Sequence, residues 1–416
     1  MAEIQHQNVS LFQPRRVEMA TEKVSWTQYR PSNQWTEGSV IEFNIDGSST
    51  SYLDLSQTLL YVKLKIVKTD GTAIVKGTDK VGLTNAPLHT LFSQIDLKIQ
   101  QHPVSEIGNN YAYKGYLDTL LNTVDEHELH SQLFITDEGG KDMVNPDSTG
   151  PNVGLYRRAL YTHEGQEVDL IGHLALDLCQ QDRALLNGVP VHIKLWQNAD
   201  TFRLMSTDSG YHVKITDTFL KVAMVKVNPA VILSQTEVLK DSPALYPYTK
   251  SVIKTYAMSK GQYSFATDDL FQSQLPQQVT VGIVSSAGHH GSYAKNPYNF
   301  ENVNCNYVGF FVDGQSVPTD PLQPNYKGNS FMEAYDRLGA NGKQRAVQIP
   351  RNWFHEGYCL YVFNIDGDLS DREDQRGHTR LELKFTEALA EPYTVIVYAK
   401  FPALMKIDQH RNVTLE

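Results

Sequence analysis

Asp182-Arg183-Ala184-Leu185-Leu186-Asn187-Gly188-Val189 runs into Val191-His192-Ile193-Lys194-Leu195, and further on Asp371-Arg372 and Gly377 run into Leu381-Glu382-Leu383. Both stretches place Asp-Arg first, then a glycine, then a segment where apolar and polar residues alternate. Gly188 and Gly377 stand 189 residues apart, and Ile193 and Leu381 stand 188 apart. Apolar segments precede both, at 174–178 and 360–365. A second pairing joins 60–66 to 220–226. Two correspondences in the same order predict two copies of one domain.

The repeated segment has period two, the mark of a strand with one face in a core. The same period recurs outward from it. Ile41, Phe43 and Ile45 share a face, and Leu60, Val62, Leu64 and Ile66 share another against Tyr61, Lys63 and Lys65. Ile95-Asp96-Leu97-Lys98-Ile99 repeats the pattern, as do Leu220, Val222 and Met224. Gly47-Ser48-Ser49 and Asp70-Gly71 supply turns. Runs at 279–284, 307–312, 360–363, 381–385 and 395–398 bring the expectation to about sixteen strands. Helical spacing is rare. Tyr113, Tyr116, Leu117 and Leu120 predict a helix over 113–122, and 331–338 a short one in the matching place of the second half. The fold class expected is all-β: two tandem eight-stranded antiparallel jelly rolls, a double jelly roll, with short helices in connecting loops.

The 416 residues divide, on this reading, into four parts. An extended N-terminal arm over 1–36 is polar and aperiodic. A first jelly roll covers 37–208 and a second 209–404, split at the small polar run Ser206-Thr207-Asp208-Ser209-Gly210. A C-terminal tail covers 405–416. Lys+Arg 37 against Asp+Glu 47 gives a net charge of −10. Coating nucleic acid needs a basic face, so specific nucleic-acid binding is not expected. Cys179, Cys305 and Cys359 are three and widely spaced. They predict buried thiols, not a disulfide framework or a zinc motif. Met1-Ala2-Glu3-Ile4-Gln5-His6 lacks the apolar core of a secretory signal, and no apolar run reaches the roughly 18 residues of a membrane span. The expectation is a chain that is not secreted and has no membrane span.

Five further stretches carry a resemblance. They are Val40-Ile41-Glu42-Phe43-Asn44-Ile45 with Tyr52-Leu53-Asp54-Leu55; the block 182–189; Asn352-Trp353-Phe354 with Gly357-Tyr358-Cys359-Leu360-Tyr361-Val362-Phe363; Arg376 to Phe385; and Tyr393-Thr394-Val395-Ile396-Val397-Tyr398-Ala399 with Ile407-Asp408-Gln409-His410-Arg411-Asn412-Val413. In this order they resemble the hexon-type double jelly-roll major capsid protein of Polinton (Maverick) elements and adintoviruses. The resemblance spans roughly 38–413. It implies a homotrimer forming a pseudo-hexagonal capsomer, which tiles an icosahedral shell around a double-stranded DNA genome. The partners implied are copies of the chain itself, neighbouring capsomers, and penton or minor capsid proteins. The place implied is the virion capsid, assembled inside the host cell, in cytoplasm or nucleus. Phe12, Arg15, Arg16 and Trp26 in the arm, and Arg411 in the tail, are the candidate capsomer contacts.

Catalytic patterns argue for other classes and are weak here. Glu126-His127-Glu128-Leu129-His130 has histidines at i, i+3, not the i, i+4 of a helical zinc protease. His163, Glu164, Glu167 and His173 could suit a cupin, itself a jelly roll, but the paired strand histidines are missing, and His289-His290 would point opposite ways if extended. Asp366, Asp368, Asp371, Glu373 and Asp374 lie among Arg372 and Arg376, which reads as a solvated loop, not a glycosidase pair. No catalytic residue, cofactor or metal is therefore expected, and the chain is not expected to be an enzyme. The alternative class is a jelly-roll glycan-binding protein or glycoside hydrolase, with Tyr293, Tyr298 and Tyr326 as exposed loop aromatics. A cupin-like metalloenzyme is the third.

Overall fold

The structure is a computed structural model that describes residues 20–105, 107–138, 144–147, 150–272, 274–340, 349–365 and 376–416. The first half contributes strands β1 (Thr21–Tyr29), β2 (Ile41–Ile45), β3 (Ser51–Lys68), β4 (Phe92–Ile99), β5 (His102–Pro103), β6 (Val168–His173), β7 (Val191–Gln197) and β8 (Tyr211–Val227). The second contributes β9 (Ala244–Met258), β10 (Ser264–Asp268), β11 (Gln278–Ser285), β12 (Cys305–Val312), β13 (Gln315–Ser316), β14 (Leu360–Asn364), β15 (Thr379–Phe385) and β16 (Tyr393–Ile407). One sheet of the first half has the order β1-β8-β3-β6 and the other β2-β7-β4-β5. The second half repeats both orders, as β9-β16-β11-β14 and β10-β15-β12-β13. Each of these sixteen strands has its counterpart eight places on, whereas the short pair Val81–Leu83 with Leu204–Ser206 and the tail strand Val413–Leu415 have none, and every ladder is antiparallel. The chain folds as two jelly rolls of one topology.

Alternation sets the register. In β7, Val191, Ile193 and Leu195 are fully buried, and Ile193 lies opposite Phe43 of β2 and Leu97 of β4. In β15, Leu381 and Leu383 are buried, and Leu383 lies opposite Phe265 of β10 and Val308 of β12. Slipping either strand by one residue would turn these side chains outward. Ile193 and Leu381 are both the third residue of their strand, so this repeat marks equivalent positions.

Three expectations need correction. The second pairing is not a repeat: Leu220 lies directly opposite Leu60, because β8 and β3 are neighbours in one sheet. Neighbouring strands share an alternation because they share a core face. The boundary at 208–209 would cut β8 from the sheet in which it sits between β1 and β3. The crossing between rolls is instead the helix Pro229–Asp241, which leads into β9. Residues 1–36 are also not wholly an unpacked arm. Thr21–Tyr29 forms β1, paired with β8 from Val227 to Leu220. Its side chains are mostly exposed, so backbone hydrogen bonds hold it, and no apolar alternation announced it. Its jelly-roll counterpart β9 is likewise the first strand of the second roll.

Three helices matter below: α1 (Tyr111–Asn122), α2 (Pro229–Asp241) and α3 (Met332–Arg337). Helix α1 lies between β5 and β6, and α3 between β13 and β14, the matching places expected. Each roll has its own core. A third core lies between the rolls, where Tyr116, Leu117 and Leu120 of α1 pack with Ile253, Ile396 and Tyr398 of the second roll. Gly115 lets α1 approach closely: a Cβ there would lie 2.4 Å from His89 Cγ. The tail does not run free. Val413–Leu415 turns back and pairs with the end of β16. No helix among the described residues is long and apolar enough to cross a membrane.

Candidate functional site

The densest polar chemistry sits in the joint between the rolls. Lys114 of α1 is fully buried, with its Nζ 2.6 Å from Asp118 Oδ2 and 3.1 Å from Asp177 Oδ1. From the second roll, the Tyr398 hydroxyl donates to Asp118 Oδ1 at 2.6 Å, and the Ser251 N–H donates to Asp177 Oδ2 at 2.8 Å. Burial alone would raise the Asp118 carboxyl, but the Lys114 and Lys400 ammonium groups hold it down to about 2. Burial pulls Lys114 down, yet Asp118 and Asp177 keep it well above its ordinary value. Both partners therefore stay charged at neutral pH. A second bolt lies nearby. Arg158, also fully buried, pairs with Asp137 at 2.6 Å and donates through Nε to the Leu83 carbonyl. Asn296 and Tyr358 of the second roll donate to Asp137 Oδ2 and its carbonyl. Most of these groups are satisfied by one another, while Asp177 Oδ1 has the Lys114 ion pair but no hydrogen bond. Such a network fixes geometry more than it adds stability. It makes the two rolls one block.

The histidine and carboxylate sets weighed in the sequence do not assemble. His127 and His130 lie on the short exposed helix Glu126–Ser131. Glu167 is taken up by Lys63 at 2.7 Å. His289 and His290 lie in the short helix Ser286–His290, not on an extended segment. Desolvation lowers His289 to about 4, and its Nδ1 is 3.4 Å from the Tyr113 hydroxyl. The acidic group at 366–374 lies outside the described residues. Among the described residues one set, Glu37, Asp200 and His212, brings three potential ligand atoms within 4.8 Å. Sequence reasoning missed it because Glu37 lies far in sequence from Asp200 and His212. Asp200 is already bonded to Arg203 and to the Val213 N–H, which leaves little charge for a cation.

The loop tyrosines offer no glycan platform. Tyr298 is fully buried and stacks on Tyr116 at 4.0 Å between centroids. Tyr326 is half-buried, with its hydroxyl 2.8 Å from that of Tyr361. Tyr293 donates to the Tyr211 carbonyl. The three cysteines are free and buried, as expected. Burial pushes the thiols of Cys179 and Cys305 up to about 12 and that of Cys359 to about 11, so they remain protonated.

Of the candidate contacts, Trp26 lies on the edge strand β1 with its ring exposed, and the Lys221 ammonium sits 4.9 Å from the ring centroid. Arg411 is committed within the chain: its Nε and Nη2 donate to the carbonyl and Oδ1 of Asn187, each at 2.9 Å. It ties the C-terminal turn to the loop before β7. Phe12, Arg15 and Arg16 lie outside the described residues.

No family model matches the chain. A Caenorhabditis elegans protein, the uncharacterized protein F54H12.2, is 25% identical over 415 residues, covering 93% of this chain and 96% of that protein. Solved structures match the whole length at low identity. A chain of the Sputnik virophage aligns with a TM-score of 0.67 at 12% identity, covering 98% of this chain and 91% of its own length. The mavirus major capsid protein aligns with a TM-score of 0.56 at 11% identity, covering 98% and 92%. The Faustovirus major capsid protein gives 0.58 at 9% identity, covering 97% and 94%. The fold is the viral double jelly roll.

Proposed function

We propose that this chain is a major capsid subunit of the Polinton (Maverick) and adintovirus kind. Three copies form a pseudo-hexagonal capsomer, and capsomers tile an icosahedral shell around a double-stranded DNA genome. The role is structural, not enzymatic. The observation that carries the reading is the shared strand order of the two rolls within one block. Three such blocks around a threefold axis present six nearly alike rolls, which is how a trimer can occupy a six-fold lattice site. The full-length resemblance to a nematode protein supports a gene carried in animal genomes. The net charge of −10 fits a wall that encloses a genome without condensing it.

The remaining parts of the reading belong with it. The first roll ends with β8, the second begins at β9, and α2 joins them. Assembly takes place within the host cell, and the product resides in the virion with penton and minor proteins. Trp26, Phe12, Arg15 and Arg16 mark a contact face, with Arg411 bracing it from within. Native mass spectrometry of the purified chain is expected to give a trimer, and electron microscopy pseudo-hexagonal particles. A monomer at micromolar concentration that hydrolyses a glycan would sink the reading.

A further inference from the structure

The equivalent sheets of the two rolls differ in what meets their outer faces. Across the second roll's sheet one row runs Ile253, Tyr398, Thr280 and Val362, each opposite the next. All of them are buried. Tyr116, Leu117 and Leu120 of α1, a helix of the first roll, pack with Ile253 and Tyr398 of that row. Across the first roll's sheet a row runs Phe219, Tyr61 and Ile171. All three are only half-buried. Phe219 and Tyr61 stack at 4.3 Å between centroids. Further along the same face, Lys65 lies directly opposite Lys214. Like charges placed so repel each other, and Glu167 close by is held by Lys63 at 2.7 Å. An aromatic centre with a basic end is completed by a partner that is apolar and acidic.

The second roll carries such a surface in the place matching α1. Phe331, just before α3, and Ala334 within it are buried against their own roll. Met332 is 40% exposed, and Glu333 and Asp336 are exposed on the same helix. Met332 and Asp336 stand one turn apart, on one side of it. We propose that the outer face of β1-β8-β3-β6 is the docking site for α3 of a second copy of this chain. Met332 meets Tyr61 and Phe219, and Glu333 and Asp336 turn toward Lys65 and Lys214. The joint between chains then repeats the joint within one: a helix from one roll covers the sheet of the next. Head-to-tail contacts of this kind close into rings when the rotation allows. The proposal deepens the trimer reading and rests on it.

The test is native mass spectrometry of the full-length protein over a dilution series. Phe219→Asp and Met332→Asp are each expected to raise the trimer's dissociation constant at least about tenfold. Lys65→Glu is expected to weaken the trimer about tenfold, and Glu333→Lys added to the same chain to restore it. Tyr263→Asp, at a 61% exposed position of the second roll, is expected to change nothing. The charge swap leaves the apolar surface intact, so it decides the matter even where Phe219→Asp does not fold. A wild-type trimer that Met332→Asp leaves intact would overturn this docking while the capsid reading stands. So would a trimer weakened by Lys65→Glu that Glu333→Lys does not rescue. A wild-type monomer would instead overturn the trimer itself, and the docking with it.

Discussion

Strands β3 and β11 hold the same place in their rolls, yet they are buried differently. In β3, Leu60, Val62, Leu64 and Ile66 face the core, while Tyr61, Lys63 and Lys65 stay half-exposed. In β11, Val279, Val281 and Ile283 face the core, and Thr280 and Val284 on the other side are buried as well. The same contrast separates β8 from β16. One topology thus yields an open-faced sheet in the first roll and a sheet covered on both faces in the second. The cover is α1 and its neighbours, donated by the first roll. Fold position does not dictate burial; what packs on the outer face does. Sheets covered on both faces read as continuous apolar runs, which is why 395–398 lost its alternation.

The largest test of this contrast is at the joint. Lys114→Ala leaves Asp118 and Asp177 buried without their main counter-charge, and a loss of about 3–5 kcal/mol is expected from denaturant unfolding. A loss under about 1 kcal/mol would mean that water reaches the joint. Acid comes next. Desolvation lowers His89 from 6.5 to about 4. Below 6.5 the unfolded chain binds a proton that folded His89 refuses, so stability falls as pH drops toward 4, by about 3 kcal/mol in all. Asp118 then adds a loss between the ordinary carboxylate range and about 2, where its folded form takes up a proton. Urea midpoints measured from pH 7 to 4 are expected to flatten in His89→Gln, and parallel slopes would contradict the assignment.

The covered face gives a sharper, smaller effect. A Cβ on Gly282 of β11 would lie 2.5 Å from the Phe300 ring. Gly282→Ala is expected to cost about 1–3 kcal/mol. Lys65→Ala on the open face of β3 is expected to stay within about 0.5 kcal/mol. Equal costs would erase the contrast. Below the cost at Gly282, Trp26→Ala on the exposed edge is expected to change stability by about 0.5–1 kcal/mol. By native mass spectrometry and particle imaging it is expected to weaken capsomer association.

The sequence made the alternating strands, the two helices in matching loops and the repeat at β7 and β15 legible, because each is written in local spacing. Strand β1 was not legible. Its Val24 and Trp26 face outward, so its signal was β-branched and aromatic content (Thr21, Val24, Trp26, Thr27, Tyr29), not periodicity. The boundary was misplaced because a polar turn before β8 looks like a linker when only neighbours in sequence are visible. The Lys114–Asp118 pair was hidden for a similar reason. An i, i+4 pair on a helix normally sits in solvent, and only the docking of the second roll buries it. Tyr298 looked like an exposed loop aromatic until Tyr116, from the other half, stacked on it.

The third core has a consequence for lineage. A doubled domain ordinarily keeps the option of separating again, as long as each half retains a wettable exterior. Here the second roll has surrendered one sheet's exterior to a helix encoded in the first. Cutting the chain at α2 would leave Ile396, Tyr398 and Phe300 facing water, beside Lys400 without Asp118. The halves have become mutual prostheses, and whatever event joined them is closed to reversal by simple scission.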